Sequence, residues 1–599
     1  MVEENGGKRA AAWLSEGVET LFATLDEQVP VIDFDVLIVG SGYGGAVAAA
    51  GLAGSRDKGK LVKVGVLERG KEYLPGSFPG HLRDLAGHVR FNTPNGAVPV
   101  GNREGLFDVR VGPDVSALVA NGLGGGSLIN AGVMVAPRGA ALKKLSALVD
   151  GLEPYFVKAL EVLGARVNGA PNTILQHAGD LPAKYVALQK MAARLHPADG
   201  VFSPAAVTIA MQDRASAGGV ALDACAMCGD CATGCNLNAK ESLDTNLLYR
   251  AARQGARIYT GATVLRIERD AKLGAWCVHV NFTDAQLRAR RELPYKIRAR
   301  KVILAAGTFG STEILLRSQR DDLAFSTHIG KAFSSNGDMI AVAYDGPDLI
   351  NGFADEAQPL RARRVGPTIT GMIDLPAAPG GLLVEDLAVP GPLRRLFQEV
   401  VTTAHTLHEL GREDASTHTG LPDERDPCAV DQDKLGHSAI LAVMGDDGVG
   451  QDERFNGSLE LVGGKDDDNG DGAIRVRWPE LRDRPLFARQ VRLLAGLAEG
   501  EKAGPGPGPN GTILPNPLWK MLPESMDFLL SAKRGPLFTV HPLGGCGMGW
   551  TAADGVVNDC GEVFRALAQD DDLLHEGLIV LDGAILPGAL GVNPALTIT

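Results

Sequence analysis

The sequence has no apolar run that could cross a membrane, since no segment approaches the roughly 18 uninterrupted apolar residues that a spanning helix needs. It has no excess of positive charge either: 59 Lys and Arg stand against 72 Asp and Glu, for a net charge of −13. This balance argues against nucleic acid or an anionic membrane as a partner. Residues 1–26 lack a basic start followed by an apolar run and lack a twin arginine. A short amphipathic surface helix is expected there, and a cytoplasmic location is expected for the protein.

Cysteine is scarce as well, with eight residues in 599, four of them between positions 225 and 235. A disulfide scaffold is therefore not expected in a chain of this size. The apolar fraction of 45% is ordinary, which indicates a globular protein of enzyme size. At this length two large lobes are expected.

A glycine motif stands near the start of the chain. An apolar run that reads as a buried strand leads into G-x-G-x-x-G, and an alanine-rich helix candidate and a second apolar strand ending at Glu68 follow. Gly40 would permit the tight turn, Gly42 would let the backbone approach a pyrophosphate, and Gly45 would let the helix pack close to the strand. The helix N-terminus would attract the phosphates, and Glu68 is placed to accept hydrogen bonds from a ribose. This pattern predicts a bound dinucleotide.

A second glycine-rich segment, ANGLGGGSLINAG, begins at Ala120, and its five glycines let a backbone pass very close to a flat or charged group. Together with the first motif, this segment resembles the glucose–methanol–choline (GMC) flavoprotein oxidoreductases, and specifically their cholesterol-oxidase-like branch. The resemblance covers roughly residues 34–599, with weak support between 335 and 530. Members of the family normally continue with a helix that packs on the flavin domain, whereas this sequence ends at Thr599.

The resemblance implies FAD as the cofactor. In covalently flavinylated relatives the attachment residue can be a histidine directly before the asparagine of the glycine-rich segment, but Ile129 stands there, so non-covalent FAD is expected. The segment 301–318 reads as strand, tight turn and helix, like the second signature of the family, although a plain βα unit would give the same pattern. The residues implied in FAD binding are Gly40, Gly42, Tyr43, Gly44, Gly45, Glu68, Gly125, Gly126, Asn130, Val264, Gly307, Asp582, Gly583 and Pro594.

Three short motifs in the C-terminal part match the pattern of this branch: HPLGGCGMG from His541, LDGA from Leu581, and GVNP ending at Pro594. The resemblance implies that His541 orients the substrate hydroxyl and handles its proton, and the unperturbed pKa of histidine suits this task. Asn593 would hold the developing carbonyl oxygen. Glu385, within LLVEDLAVP, resembles the active-site glutamate of the cholesterol oxidases, and the alternative is a surface acid at the end of a strand.

A cysteine loop has the spacing C-x2-C-x2-C-x3-C, formed by Cys225, Cys228, Cys231 and Cys235. Bacterial ferredoxins use this run to bind an iron–sulfur cluster, but there a proline follows the fourth cysteine, whereas Asn236 follows it here, and the chain has no second run. Some sugar-oxidising relatives in the family carry a cluster on such a segment. An iron–sulfur cluster, a structural zinc ion and reduced thiols therefore remain open.

The expected fold is α/β. A discontinuous Rossmann-like FAD-binding domain comprises 33–334, with the cysteine loop 225–235, and 534–599; residues 1–32 form an extension. An α+β substrate domain with an antiparallel sheet is expected over 335–533, because segments such as 439–444, 458–462 and 473–478 alternate or are apolar. The acidic run 465–472 is expected to be a hairpin turn, since Trp478 stands where a calcium loop needs glutamate. The Pro-Gly segment 503–516 is expected to be a loop.

The leading functional hypothesis is that the protein is an FAD-dependent enzyme that oxidises a lipophilic or sterol-like secondary alcohol to the carbonyl compound. The hydride would be transferred to flavin N5. Electrons would pass to oxygen, a protein or a quinone. The alternatives are a flavin and iron–sulfur dehydrogenase of a sugar or other polar alcohol, and a non-redox lyase or isomerase on the flavin scaffold. Having both His541 and Asn593 favours redox chemistry.

Overall fold

The apolar run before the first glycine motif forms the strand Phe34–Val39, in the largest sheet of the computed structural model. Parallel strands flank it on both sides, Val64–Leu67 and Tyr295–Leu304, and it is buried almost throughout, as expected for a strand covered on both faces. The structure describes residues 13–26, 29–92, 100–112, 114–195, 200–376, 378, 381–410, 430–448, 456–463, 473–479, 481, 484–499, 512–515, 537–566 and 573–599.

The large sheet has nine strands. Its main path runs, in order, through Glu16–Gly17, Arg257–Thr260, Val64–Leu67, Phe34–Val39, Tyr295–Leu304, Ala275–Phe282 and Ala262–Asp270. Leu574–Val580 also pairs in parallel with Tyr295–Leu304, and Glu562–Phe564 pairs with Leu574–Val580. The pairs from Glu16–Gly17 to Tyr295–Leu304 are parallel, so the carboxyl ends of these strands meet at one edge.

Helices follow several of these strands, as the sequence predicts. Tyr43–Leu52 begins within the first glycine motif, directly after Gly42, and Leu247–Arg253 packs against it. The segment 301–318 forms the end of Tyr295–Leu304, a turn at Gly307 and the helix Gly307–Ser318. The predicted Rossmann-like architecture is confirmed.

A separate six-stranded antiparallel sheet forms the core of the second lobe, which confirms the expected fold class. Its order is Val201–Pro204, Gly371–Leu375, Leu382–Leu387, Ala439–Gly445, Met339–Tyr344 and Thr512–Pro515. Two of these strands differ from expectation. Val201–Pro204 comes from the chain segment expected in the FAD-binding domain. Thr512–Pro515 is an edge strand, so the loop prediction for 503–516 is wrong at these four residues, and the rest of that segment lies outside the described residues. A proline is tolerated there because an edge position leaves one side unpaired.

A third large sheet has five strands among the described residues. Its order is Leu537–Thr539, Val115–Ala120, Phe107–Arg110, Val89–Asn92 and Val100–Gly101. The segments Ser458–Val462 and Ala473–Arg477 pair with each other as a two-stranded hairpin and do not join the six-stranded sheet, although both were expected in an antiparallel sheet. Their pairing agrees with the hairpin interpretation of 465–472, residues that lie outside the described part of the chain.

The N-terminal segment is only briefly helical, at Val18–Phe22, after the two-residue strand Glu16–Gly17. Residues 1–12 lie outside the described part, so the prediction of a surface helix for residues 1–26 can be compared with the structure only from residue 13 onwards. Val18, Leu21 and Phe22 are buried, and the Phe22 ring stacks on that of Tyr295. Glu19 and Thr20 of the same helix are exposed, so the described helix is short, amphipathic and at the surface, as predicted, with its apolar face packed against the large sheet.

Further short strand pairs are Arg56–Asp57 with Lys60–Leu61, Arg166–Val167 with Ala170–Pro171, and Arg214–Ala215 with Ala221–Leu222. In the described part of the chain, the remaining α-helices are Leu82–Leu85, Gly139–Ser146, Glu153–Val162, Ala183–Ala192, Ala285–Arg288, Arg394–Leu410, Gln432–Gly436, Pro485–Glu499 and Ala595–Ile598. Within the described ranges, no helix is both long and apolar enough to cross a bilayer.

Candidate active site

The first glycine motif forms a turn at the carboxyl end of Phe34–Val39. Gly40 has a φ of +97°, and a Cβ atom there would overlap the carbonyl oxygen of Ala305. A Cβ at Gly45 would overlap the carbonyl of Gly40, and one at Gly44 would overlap the carbonyl of Leu581. A Cβ at Gly42, in contrast, would meet no heavy atom within 4 Å. The turn and the close helix packing are as predicted, and Gly42 faces open space.

The second glycine-rich segment lies directly against this turn. A Cβ at Gly125 would lie 2.8 Å from Cα of Gly42, and the Asn130 side chain donates to the Tyr43 hydroxyl over 2.6 Å. Gly126 is exposed and has no heavy atom within 4 Å of the position of a Cβ. The structure therefore brings together Gly42, Tyr43, Gly125, Gly126 and Asn130 from segments more than 80 positions apart.

A third group lies at the carboxyl ends of Tyr295–Leu304 and Leu574–Val580. The Asp582 carboxylate accepts from the Gly307 N–H over 2.9 Å and from the Ser311 hydroxyl over 2.5 Å. Burial raises the pKa of Asp582 to about 6, against the effect of these hydrogen bonds. A Cβ at Gly307 would meet nothing within 4 Å, and one at Gly583 would lie 3.1 Å from the Thr308 hydroxyl.

These groups form a cradle that fits FAD. Gly42, Gly126 and Gly307 border open space on the same edge of the sheet, where the carboxyl ends of the parallel strands meet. Doubly wound folds bind dinucleotides at this edge, and bare backbone permits the close approach that a pyrophosphate and a flat ring need. Val264 lies on the neighbouring strand Ala262–Asp270, whose first N–H donates to the Glu68 carbonyl, and Pro594 precedes the helix Ala595–Ile598.

Glu68 ends the strand Val64–Leu67, as predicted, but its carboxylate already has protein partners. Ser41 donates to Oε2 from its hydroxyl over 2.6 Å and from its N–H over 3.2 Å, and Gly70 N–H donates to Oε1 over 2.8 Å. The Ser41 hydroxyl also accepts from the Gly124 N–H. Each carboxylate oxygen can accept a further bond, so contact of Glu68 with a ribose stays a prediction. The linking role of Ser41 has no separate signal in the sequence.

His541 lies beside this cradle. The Thr308 hydroxyl donates to the carbonyl of Pro542 over 2.7 Å, and Gly544 N–H donates to the carbonyl of Gly583 over 2.9 Å. The turn after His541 is thereby fixed to residues next to Gly307 and Asp582. Nδ1 of His541 lies 2.9 Å from Oδ1 of Asp338.

A turn from Ser335 to Asp338 contacts both predicted catalytic segments, and sequence reasoning did not single it out. Asp338 binds the His541 segment. The Asn336 side chain accepts from the N–H groups of Leu590 and Gly591 and donates to the carbonyl of Val592, each over 2.9 Å. Asn336 therefore fixes the segment that ends in Asn593. The only sequence signal here is an Asn-Gly pair, which indicates a turn but not its partners.

Glu385 lies within the strand Leu382–Leu387, third in the six-stranded sheet, and is only 1% exposed, so the alternative of a surface acid at a strand end is wrong. Its Oε2 accepts from Nδ2 of Asn593 over 3.2 Å. Burial raises the pKa of Glu385 to about 7, although Asn593 and the charge of His541 oppose this effect. The structure therefore brings His541, Asn593 and Glu385 together.

Two buried oxygens of this group, Oε1 of Glu385 and Oδ1 of Asn593, have no hydrogen-bond partner among the described residues. A buried polar atom without a partner costs roughly 1–3 kcal/mol, so such atoms mark places where a ligand group or a water molecule is expected. An alcohol hydroxyl is a donor that would satisfy either oxygen. The arrangement can thus bind an alcohol oxygen beside a histidine whose Nδ1 is held by a carboxylate.

The cysteine loop links the two lobes. Met227 accepts at its carbonyl from the N–H groups of Val365 and Gly366, and Asp230 accepts from the Arg363 side chain over 2.7 Å. On the other side, the buried Lys240 ammonium donates to the carbonyls of Leu128, Asn130 and Cys231. Burial lowers the pKa of Lys240 to about 8, against the effect of nearby Cys231, Cys235 and Asp244.

The four loop cysteines are free thiols, and burial raises the pKa of Cys225, Cys228 and Cys231. A single zinc ion would need its ligand sulfurs within about 4 Å of one another. Among the described residues, three potential ligand atoms lie within 4.8 Å of one another at Glu268, Cys277 and His279, not in the loop. The loop, which lies wholly within the described residues, therefore has no preformed zinc site.

Comparisons with known proteins agree with this geometry. The GMC oxidoreductase family matches residues 34–335, and its C-terminal part matches residues 456–599. The chain is 26% identical to the cholesterol oxidase of Mycobacterium tuberculosis, over 94% of this chain and 89% of that protein. It is 24% identical to the cholesterol oxidase of Acinetobacter baumannii, over 95% of this chain and 92% of that protein. Pyridoxine 4-oxidase from Mesorbium loti has a TM-score of 0.55 at 15% identity, covering 94% of this chain and 97% of its own, and this likeness shows the fold alone.

Proposed function

The chain belongs to the GMC oxidoreductase family, FAD-dependent enzymes that act on CH–OH groups, and we propose that it oxidises a lipophilic, sterol-like secondary alcohol to the carbonyl compound. The observation that carries this proposal is the pair of buried oxygens without partners, Oε1 of Glu385 and Oδ1 of Asn593, beside His541. These atoms offer acceptors to a substrate hydroxyl, and His541 offers a group that can take its proton.

Each residue has a distinct part in this proposal. His541 takes the hydroxyl proton as the carbon–oxygen double bond forms. Asn593 then holds the substrate oxygen through the second N–H of Nδ2, since only one of the two amide protons bonds to Glu385. Glu385 accepts a hydrogen bond from Nδ2 of Asn593 and so restricts the orientation of that amide. FAD, when bound at the glycine cradle, supplies the acceptor for the hydride.

A lipophilic substrate is supported by the surroundings of Glu385. The residues directly opposite it on the neighbouring strands are Met372 and Ala442, whose side chains share its face of the sheet. A polyol would leave hydroxyl groups without partners against such a surface. The cholesterol oxidases of Mycobacterium tuberculosis and Acinetobacter baumannii match the chain over 89% and 92% of their own length.

The cysteine loop supports an alternative function, that of a flavin and iron–sulfur dehydrogenase for a sugar or another polar alcohol. Lys240 connects the loop to the second glycine-rich segment, and Met227 and Asp230 connect it to the second lobe. The four thiols therefore lie between these two parts of the protein. A cluster there would pass electrons to a protein or quinone acceptor, whereas without it oxygen would serve. A non-redox lyase or isomerase is the third candidate.

Anaerobic absorbance spectra of the FAD-loaded protein distinguish these functions. We expect sterols to bleach the flavin faster than short aliphatic alcohols or sugars. The dehydrogenase would be favoured if a sugar bleaches the flavin faster than a sterol does. In that case a broad shoulder in the visible absorbance spectrum should also persist after bleaching, and the protein should contain iron and sulfide. If no alcohol in the panel bleaches the flavin, the redox proposal is wrong.

A further inference from the structure

The carboxylate of Asp338 accepts hydrogen bonds from three donors and also contacts the ring of His541. Its Oδ2 accepts from the Thr539 hydroxyl over 2.7 Å, from Val540 N–H over 3.0 Å and from His541 N–H over 3.1 Å. Its Oδ1 lies 2.9 Å from Nδ1 of His541. Asp338 is 6% exposed and stands just before the strand Met339–Tyr344. One aspartate therefore contacts both the backbone and the ring of His541.

This geometry determines which ring nitrogen carries the proton. An ionised carboxylate can only accept, so the contact with Oδ1 requires a proton on Nδ1 of His541. In the neutral ring the other nitrogen, Nε2, then has a free lone pair. The three donors at Oδ2 keep the carboxylate from rotating away, and the backbone contact places the ring and its partner in one rigid unit.

We propose that Asp338 is a positioning residue that fixes the Nδ1–H tautomer of His541, so that Nε2 is the atom that takes the substrate proton. This inference rests on the proposed role of His541 in alcohol oxidation. It assigns a function to the Ser335–Asp338 turn, which joins the two lobes at the candidate site.

Two carboxylates act on the protonation of His541. Burial alone would lower the pKa of His541, but the charge of Asp338, its hydrogen bond and the charge of Glu385 outweigh burial, and the pKa is raised. The imidazolium that forms when Nε2 takes a proton is therefore stabilised by Asp338 through the same contact that fixes the tautomer. The deprotonated ring needed before the reaction is correspondingly favoured only at higher pH.

The variant Asp338→Asn tests the tautomer directly. The three donors at Oδ2 would repel an amide NH₂ group, so they should orient the Asn oxygen towards themselves and the NH₂ towards Nδ1 of His541. A donor facing Nδ1 forces the proton onto Nε2, which can then no longer accept. We expect flavin reduction by alcohol to slow by about 10²–10⁴, the usual contribution of a positioned acid–base group.

Two readouts separate positioning from a general structural role. In protein labelled with ¹⁵N-histidine, with or without FAD, the ring nitrogens of His541 should change from the Nδ1–H to the Nε2–H pattern in Asp338→Asn; His541→Ala assigns the signals. In the His541→Ala background, Asp338→Asn should cause no further loss of rate. Asp447→Asn is the matched control, because Asp447 is also buried and accepts from Ser334 and Ser335 in the same segment.

The results have distinct meanings. An unchanged tautomer in folded Asp338→Asn would overturn the inference whatever the rate. Equal rate losses from Asp338→Asn in the wild-type and His541→Ala backgrounds would overturn it as well. A changed tautomer with an unchanged rate would instead refute the proposed role of His541, and a positioning role for Asp338 would fail with it.

Discussion

Asn593 donates a hydrogen bond from Nδ2 to Oε2 of Glu385 over 3.2 Å, although 208 positions separate the two residues in the chain. The contact joins the last segment of the first lobe to a strand inside the second lobe. It leaves Oδ1 of Asn593 and Oε1 of Glu385 buried without partners among the described residues. The pair thus combines a fixed orientation with unused acceptors, an arrangement suited to a ligand hydroxyl and unfavourable without one.

The raised pKa of Glu385 predicts a pH-dependent stability. Its folded-state pKa of about 7 exceeds the ordinary 4.5, so its protonation stabilises the fold below about pH 4.5, and this contribution is lost as pH rises through 7. This pKa shift corresponds to a contribution of at most roughly 3 kcal/mol to the free energy of unfolding. Since Glu385→Gln mimics the protonated form, its thermal stability should exceed that of the wild type at pH 8 and approach it at pH 5. Glu576→Gln serves as the control, because Glu576 is exposed. A difference in thermal stability between Glu385→Gln and the wild type that stays constant from pH 5 to pH 8 would contradict the prediction.

Three glycines near the first motif provide a matched test of the FAD cradle. Gly42→Ala should leave the apoprotein as stable as the wild type, because the new methyl group meets no protein atom, but it should weaken FAD binding by occupying the path of the pyrophosphate. Gly51→Ala, later in the same helix and also without neighbours, should bind FAD normally and gain up to about 1 kcal/mol. Gly44→Ala should destabilise the apoprotein, because its methyl group overlaps the Leu581 carbonyl.

Thermal unfolding without FAD measures the stability of the three apoproteins, and titration with FAD measures their affinity for the cofactor. Normal FAD affinity in Gly42→Ala would place the pyrophosphate elsewhere.

The parts of the fold that could be predicted from sequence have local causes. The apolar run 34–39 must be buried, and Gly40 must adopt a positive φ, so the strand and turn follow from nearby residues. The edge strand Thr512–Pro515 was missed because the Pro-Gly composition of 503–516 favours a loop. Its strand conformation depends instead on pairing with Met339–Tyr344, a segment distant in the sequence. Likewise, Glu16–Gly17 forms a strand only because Tyr259 and Thr260 lie beside it.

The candidate site shows the same division. His541, Asn593 and Glu385 could be proposed because they stand in motifs, but Asp338 and Asn336 could not, because their roles arise from contacts across 203 and more than 250 positions. Ser41 and Lys240 were missed for the same reason. Nothing in their immediate sequence indicates that Ser41 joins Glu68 to Gly124, or that Lys240 holds three carbonyl groups.

FAD should be bound without a covalent link. Ile129 is the residue directly before Asn130, and its aliphatic side chain cannot form a bond to the flavin ring. Acid precipitation of the holoprotein should therefore release all of the yellow colour into the supernatant. Flavin that stays with the washed, unfolded pellet would show a covalent attachment at another residue and would contradict the prediction.

His541 provides the most direct test of the chemistry. It is the histidine fixed beside the cradle through the Thr308–Pro542 and Gly544–Gly583 hydrogen bonds, and its ring is held by Asp338. In His541→Ala the substrate proton loses its acceptor, so flavin reduction under anaerobic single-turnover conditions should slow by at least about 10². FAD binding should persist, because the hydrogen bonds that fix the turn to the cradle use backbone atoms of Pro542 and Gly544, not the ring.

The pH profile adds a check that a change in folding would not imitate. The raised pKa of His541 means that the neutral ring becomes available only as pH rises, so wild-type flavin reduction should increase with pH through this transition. In His541→Ala the transition should disappear. His437→Ala is the control, since His437 contacts the Gly346 carbonyl in the second lobe and should keep both rate and profile. If His541→Ala reduces its flavin at nearly the wild-type rate, or retains the same pH transition, another group takes the proton, and Glu385, with its pKa near 7, becomes the residue to replace next.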